Sequence, residues 1–238
     1  MRRLSTPLIL TLSIAAAPAL APALAQEITS PKSPKVMAAF DIVRTSVKSV
    51  GPEIVFQVQV AGKAGELKPK AVGQFAGSAV YSYVWPTSLD SGAVGFETAQ
   101  GILALAVTFH PDFDDGAGGA VNRHVWHPHW VVLVKDEACG AGALKVRDIP
   151  EGTKPKVPAT WPGVPLLIDS PTYPTALAAD TVEVKVPAEV IGAVEGVKFD
   201  GVTSALKVNA NLHAPLLCIS DVFDVASGDL SLPGKVTR

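Results

Sequence analysis

Apolar and polar residues alternate with a period of two through most of the chain. In Glu53–Val60, Ile54, Phe56, Val58 and Val60 share one face while Val55, Gln57 and Gln59 share the other, the alternation of a half-buried strand. Ala38–Val50 precedes it across the turn signal Gly51-Pro52, so the two read as a strand pair. Ala79–Trp85 places Tyr81, Tyr83 and Trp85 on one face and Val80, Ser82 and Val84 on the other. Ile102–His110 is apolar on both faces, as expected of a central strand covered on both sides. Val125–Lys135 is the next strand, with Pro128 confining its first part to an edge or a bulge.

Beyond Cys139 the spacing loosens. Gly142–Ile149 and Val164–Ile168 are short strand candidates, and Thr181–Val186 alternates cleanly, with Val182, Val184 and Val186 against Thr181, Glu183 and Lys185. Leu206–Leu212 repeats that pattern and Leu216–Val225 closes the series, while Ala188–Val194 holds at most one helical turn. No internal repeat and no long run of helical spacing occurs. The pattern predicts an all-β fold: one antiparallel β-sandwich, immunoglobulin-like or jelly-roll-like, with long Pro/Gly-rich loops such as Ala61–Gly77 and Pro150–Pro165.

The N-terminus departs from this pattern. Arg2 and Arg3 precede the apolar run Leu4–Ala17, and Ala23-Leu24-Ala25 is a small-x-small cleavage site, together the pattern of a signal peptide over residues 1–25. Residues 26–37 read as a flexible lead-in and 38–238 as a single domain. The expected location is therefore periplasmic or secreted, with the mature start near Gln26 and no membrane span in the mature chain. Removing 25 of the 238 residues, among them two arginines and no acids, leaves 213 and moves the formal charge from −2 to −4. A mildly acidic chain offers no basic footprint for nucleic acid. The two cysteines, Cys139 and Cys218, are expected to pair in an oxidising compartment.

Three short segments carry a resemblance. Phe40-Asp41-Ile42, then Val55-Phe56-Gln57-Val58, then Val182-Glu183-Val184-Lys185-Val186-Pro187-Ala188-Glu189-Val190-Ile191-Gly192 resemble the strands of the DOMON and family-9 carbohydrate-binding-module group. That resemblance implies an exported β-sandwich and a module that binds haem or carbohydrate.

Candidate chemistry concentrates between His110 and Trp130, which hold four of the five histidines. His127 and His129 lie two apart on a strand, so their side chains leave one face, and His110 ends a strand that is able to pair beside it. Three imidazoles with a carboxylate make a site for zinc, copper or iron. The leading reading is an exported protein that binds a divalent transition metal through His110, His127, His129 and Asp112, with Asp114, Asp115 and His124 behind them. The competing reading is a hydrogen-bonded structural cluster, with Pro128 turning the two histidines apart. Asp112, Asp114 and Asp115 also begin an oxygen set for calcium, though without the acidic residue that ends an EF-hand loop.

Tyr81, Tyr83 and Trp85 are read as core, with an exposed carbohydrate platform as the alternative. No GxSxG, HExxH or phosphate-cradling loop is present, so no catalytic residue is assigned. The expected partner is a small ligand or metal ion. The remaining alternatives are the haem or carbohydrate module and a structural envelope protein without a site.

Overall fold

The computed structural model describes residues 27–210 and 216–236; the expected signal peptide lies outside them. In chain order the strands are β1 (Ile28–Thr29), β2 (Ile42–Val50), β3 (Glu53–Val60), β4 (Ala79–Pro86), β5 (Ile102–Phe109), β6 (His127–Lys135) and β7 (Leu144–Val146). They continue with β8 (Ile168–Asp169), β9 (Thr175–Ala178), β10 (Thr181–Pro187), β11 (Lys198–Phe199), β12 (Val202–Val208), β13 (Leu217–Val225) and β14 (Gly234–Lys235). One helical turn, α1 (Ala188–Ile191), follows β10. No helix among the described residues is long and apolar enough to cross a membrane.

The all-β expectation holds, but the sandwich does not. One layer is an open sheet in the order β1-β2-β3-β10-β9. The other runs β5-β4-β12-β13-β7-β6 and then pairs β6 back onto β5, so six antiparallel strands close into a barrel, with β8 added on β6. In the closed ring β5 is apolar on both faces. Its outward residues Leu103, Leu105 and Val107 join the core against the open sheet, while Ala104 and Ala106 join a second core inside the barrel. A strand buried on both faces serves a closed ring as well as a sandwich interior, and periodicity alone cannot separate the two.

The same two-sidedness runs round the wall. Tyr83 and Trp85 of β4 and Trp130 of β6 point outward, fully buried against Phe56, Val58, Val182 and Val184 of the open sheet. Trp85 and Trp130 each meet the Phe56 ring edge-on at 5.9 Å. Tyr83 donates its hydroxyl to Ala39 O and accepts from Gly65 N–H, and Trp85 Nε1 donates to Gln57 O. Tyr81 packs between Phe40 and Phe223. The strip is core: Tyr83 and Trp85 are fully buried and Tyr81 is partly buried against them, so these three rings form no exposed platform.

Several boundaries shift. The strand expected over Leu206–Leu212 begins earlier, at Val202, and ends at Val208, with Leu206 and Val208 inside the barrel as their parity requires; Leu212 lies outside the described residues. The lead-in is partly structured, since Ile28–Thr29 pairs with Arg44–Thr45. The edge strand β9 went unread because Thr175–Ala178 is short and follows Pro174.

The seam between β7 and β13 is the thinnest part of the wall, with one pair in register, Cys218 with Lys145. The expected Cys139–Cys218 disulfide forms there, with a Cα–Cα distance of 5.5 Å. Lys145 adds an ion pair to Asp148 at 2.7 Å and a second to Asp136. A bridge across 79 residues stabilises by about 4 kcal/mol on the chain-entropy account. A Cys139→Ser/Cys218→Ser variant is expected to melt about 10 °C lower. Hydrogen exchange should speed up first in Leu144–Val146 and Leu217–Val225; uniform loosening of both sheets would contradict a seam-specific role.

Candidate metal centre

The pairing of β5 with β6 sets Thr108 opposite His127 and Ala106 opposite His129. Both histidines lie on the inward face, and His110, one residue beyond the end of β5, follows the same parity. Pro128 does not turn them apart. It sits opposite Val107 on β5, and β8 reaches only Trp130 and Val131 on the other side. The missing N–H therefore falls where β6 has a single strand neighbour, as Pro128 required.

The three imidazoles converge with one carboxylate, and that carboxylate is Asp115. His110 Nε2 lies 3.0 Å from His127 Nε2. Asp115 Oδ1 is 3.2 Å from His127 Nε2, and Oδ2 is 3.3 Å from His110 Nε2 and 3.4 Å from His129 Nε2. One potential ligand atom from each of the four residues lies within 4.8 Å of all the others, and all four residues are buried.

Each imidazole is oriented from behind by a backbone carbonyl. His110 Nδ1 donates to Phe113 O at 2.9 Å, His127 Nδ1 to Val125 O at 2.9 Å and His129 Nδ1 to Asp169 O at 3.0 Å. A carbonyl only accepts, so each Nδ1 carries a hydrogen; in the neutral ring Nε2 then turns a lone pair toward the centre, and in the protonated ring it turns an N–H toward Asp115. Phe113 also stacks its ring on His110, 4.1 Å between centroids and 6° from parallel.

The 111–126 loop uses its aspartates in three different ways. Asp112 Oδ1 accepts from Val72 N and Gly73 N at 2.8 and 2.7 Å, tying the long surface loop down. Asp114 accepts from Asn122 N and Arg123 N, both at 2.9 Å, and from the Arg123 guanidinium. The Arg123 contacts hold its carboxyl down at about 2. Asp115 exchanges hydrogen bonds with Asn122, its N–H donating to Oδ1 and its Oδ1 accepting from Nδ2, while Ser170 donates to its carbonyl.

The expectation that Asp112 supplies the carboxylate is therefore corrected to Asp115. The loop's hydrogen bonds decide which aspartate faces inward, and nothing in the Asp-Phe-Asp-Asp string ranks the three. His124 is exposed and stands outside the cluster. Asp112 Oδ1 is taken by the Val72 and Gly73 N–H groups and Asp114 by Asn122 and Arg123, and only Asp115 of the three aspartates joins the cluster.

Burial alone would push the Asp115 carboxyl up. The surrounding His129, His110 and His127 outweigh it and hold it well below the ordinary carboxylate value. Burial lowers His129 from 6.5 to about 4, so it stays neutral into the acid range.

The chain was compared with family models, with curated proteins and with solved structures, and none of the three gave a match. The geometry of the site is therefore what bears on function.

Acid should loosen the ion-free protein in a defined window. Below 6.5 an unfolded His129 takes up a proton that the folded one refuses until about 4, so the unfolded state binds more protons and stability falls as pH drops between those values. Asp115 acts in the same sense, its contribution being lost as pH falls through its depressed folded value. Thermal midpoints of metal-stripped protein should fall across that window, and a His129→Gln variant should show a shallower slope. Equal slopes would mean that the cluster does not sense pH in this way.

Proposed function

We propose that the protein binds one divalent transition-metal ion through His110, Asp115, His127 and His129. The observation that carries this reading is the facing of acceptors. With every Nδ1 hydrogen committed to a carbonyl, neutral rings of His110 and His127 would bring two Nε2 lone pairs to 3.0 Å beside an ionised carboxylate. Buried acceptors in that arrangement repel one another unless a cation stands among them. A tetrahedron with bonds of about 2.1 Å has edges of about 3.4 Å, close to the 3.2–3.4 Å separations between Asp115 and the three imidazoles.

Three imidazoles and a carboxylate suit zinc, copper or iron. The carbonyls behind the rings are the second-shell partners that fix ligand tautomers in metal sites. No thiolate competes, because both cysteines are bridged. Burial of all four residues favours a resident ion over one handed on to a partner. Export remains the expectation from residues 1–25, and the disulfide is consistent with it. The alternative of haem or sugar bound on the aromatic strip lacks an exposed surface.

Metal analysis of protein purified without a histidine tag is expected to give one ion per chain. A His127→Ala/His129→Ala variant should retain none; unchanged stoichiometry would sink the proposal. Asp115→Asn should weaken zinc binding by at least about 100-fold, whereas Asp112→Asn should leave it within a factor of a few. Zinc at about 1,000 times its Kd should raise the melting midpoint by about 10 °C, and its affinity should fall with pH as the imidazoles protonate.

A further inference from the structure

The metal cluster forms part of the wall of a cavity. The barrel interior contains a space of about 100 Å³ lined by His110, Asp115 and His129 at one side and by aliphatic side chains elsewhere, among them Val80, Val84, Val131, Leu206 and Ile219. Small six-stranded barrels are ordinarily filled by their own side chains. Here a row of small residues keeps the centre open. Thr108, Ser82 and Ser204 lie in register across β5, β4 and β12, with Ala106 next to them.

Two observations point to an occupant. The first is an orphaned hydroxyl: Thr108 is 6% exposed, lines the cavity, and its Oγ1 has no hydrogen-bond partner. Ser82 and Ser204 in the same row satisfy each other at 2.8 Å, so Thr108 alone in that row awaits a partner, beside His127 in register. The second is an opening. Val222, in register with Ser204 on the far side of the ring from β5, lines the cavity yet is 52% exposed, and Leu230 lines it at 42%. Past the lone β7 contact at Cys218, β13 pairs with no further strand on that side among the described residues, and the cavity reaches the surface there between apolar side chains.

We propose that the lumen binds a short straight-chain carboxylate, its head adding a fifth donor to the metal and accepting from the Thr108 hydroxyl, its tail among the aliphatic walls. This rests on the metal reading above. A divalent ion with neutral imidazoles and one Asp115 carboxylate leaves one excess positive charge in a dry site, which an anionic oxygen neutralises. The walls offer no amide, guanidinium or ammonium group to a sugar, nucleotide or peptide. The size limits the tail to roughly four carbons, scaling from a cavity of about 150 Å³ that holds benzene.

The test uses full-length protein loaded with cobalt(II), whose visible bands report its ligands, titrated with acetate, propanoate, butanoate and hexanoate. The bands are expected to shift on binding, with affinity rising about fourfold per methylene up to butanoate and levelling off after it. Thr108→Val should weaken butanoate binding roughly tenfold while still holding one cobalt. Ala106→Leu should fill the lumen and abolish it; if that variant fails to fold, the chain-length series decides alone. Cobalt bound with bands indifferent to every acid, or acetate binding as tightly as butanoate, overturns the inference and leaves the metal reading standing. No cobalt bound overturns both.

Discussion

Everything in this molecule depends on the pairing of β5 with β6. That one ladder turns a six-strand sheet into a ring, divides the apolar residues into two cores, and lays Thr108 beside His127 and Ala106 beside His129. The outer core, where Trp85 and Trp130 grip Phe56, holds the ladder rigid from behind. Rigid strands position side chains more accurately than loops do, and of the four cluster residues two stand on such a strand and a third one residue past its partner's end. Only Asp115 comes from a loop, and that loop is tied at Asp112, Asp114 and Asn122.

The barrel interior explains an unusual division of labour among the inward residues. A narrow ring has little room, so each inward side chain either fills the centre or leaves it open. Val80, Val84, Val131 and Leu133 fill it; Ser82, Ala106, Thr108 and Ser204 do not. The open row crosses the ring at the level of the histidines, so the space lies beside the polar cluster and not at a random height. Phe113 closes that side, stacking on His110 and meeting Phe75 edge-on at 4.9 Å.

Period-two patterning made the strands legible, because alternation is a local property: β3, β4, β5, β6 and β10 were readable from their own residues. The sharing of a face by His127 and His129, and the inward turn of Val131 and Leu133, came from the same rule. What was not readable is non-local. Ring closure requires β6 to return to β5 and β7 to touch β13, and neither pairing leaves a mark within the strands involved. The choice of Asp115 over Asp112 was hidden for a related reason. It depends on Val72, Gly73 and Arg123 claiming the other two carboxylates, contacts that arise only once the loop is folded. Thr108 drew no notice either, since a threonine in a strand is ordinary until its neighbours leave its hydroxyl alone.

The carbonyls of Phe113, Val125 and Asp169 fix the imidazole tautomers by chain folding alone, before any ion arrives. An ion bound there as proposed would meet ligands already oriented, and its identity would follow from ligand preference and from the metals on offer. Divalent copper outcompetes zinc and iron for such ligands wherever all three are free. Which element such a site took would thus follow from which metals the surrounding compartment keeps available.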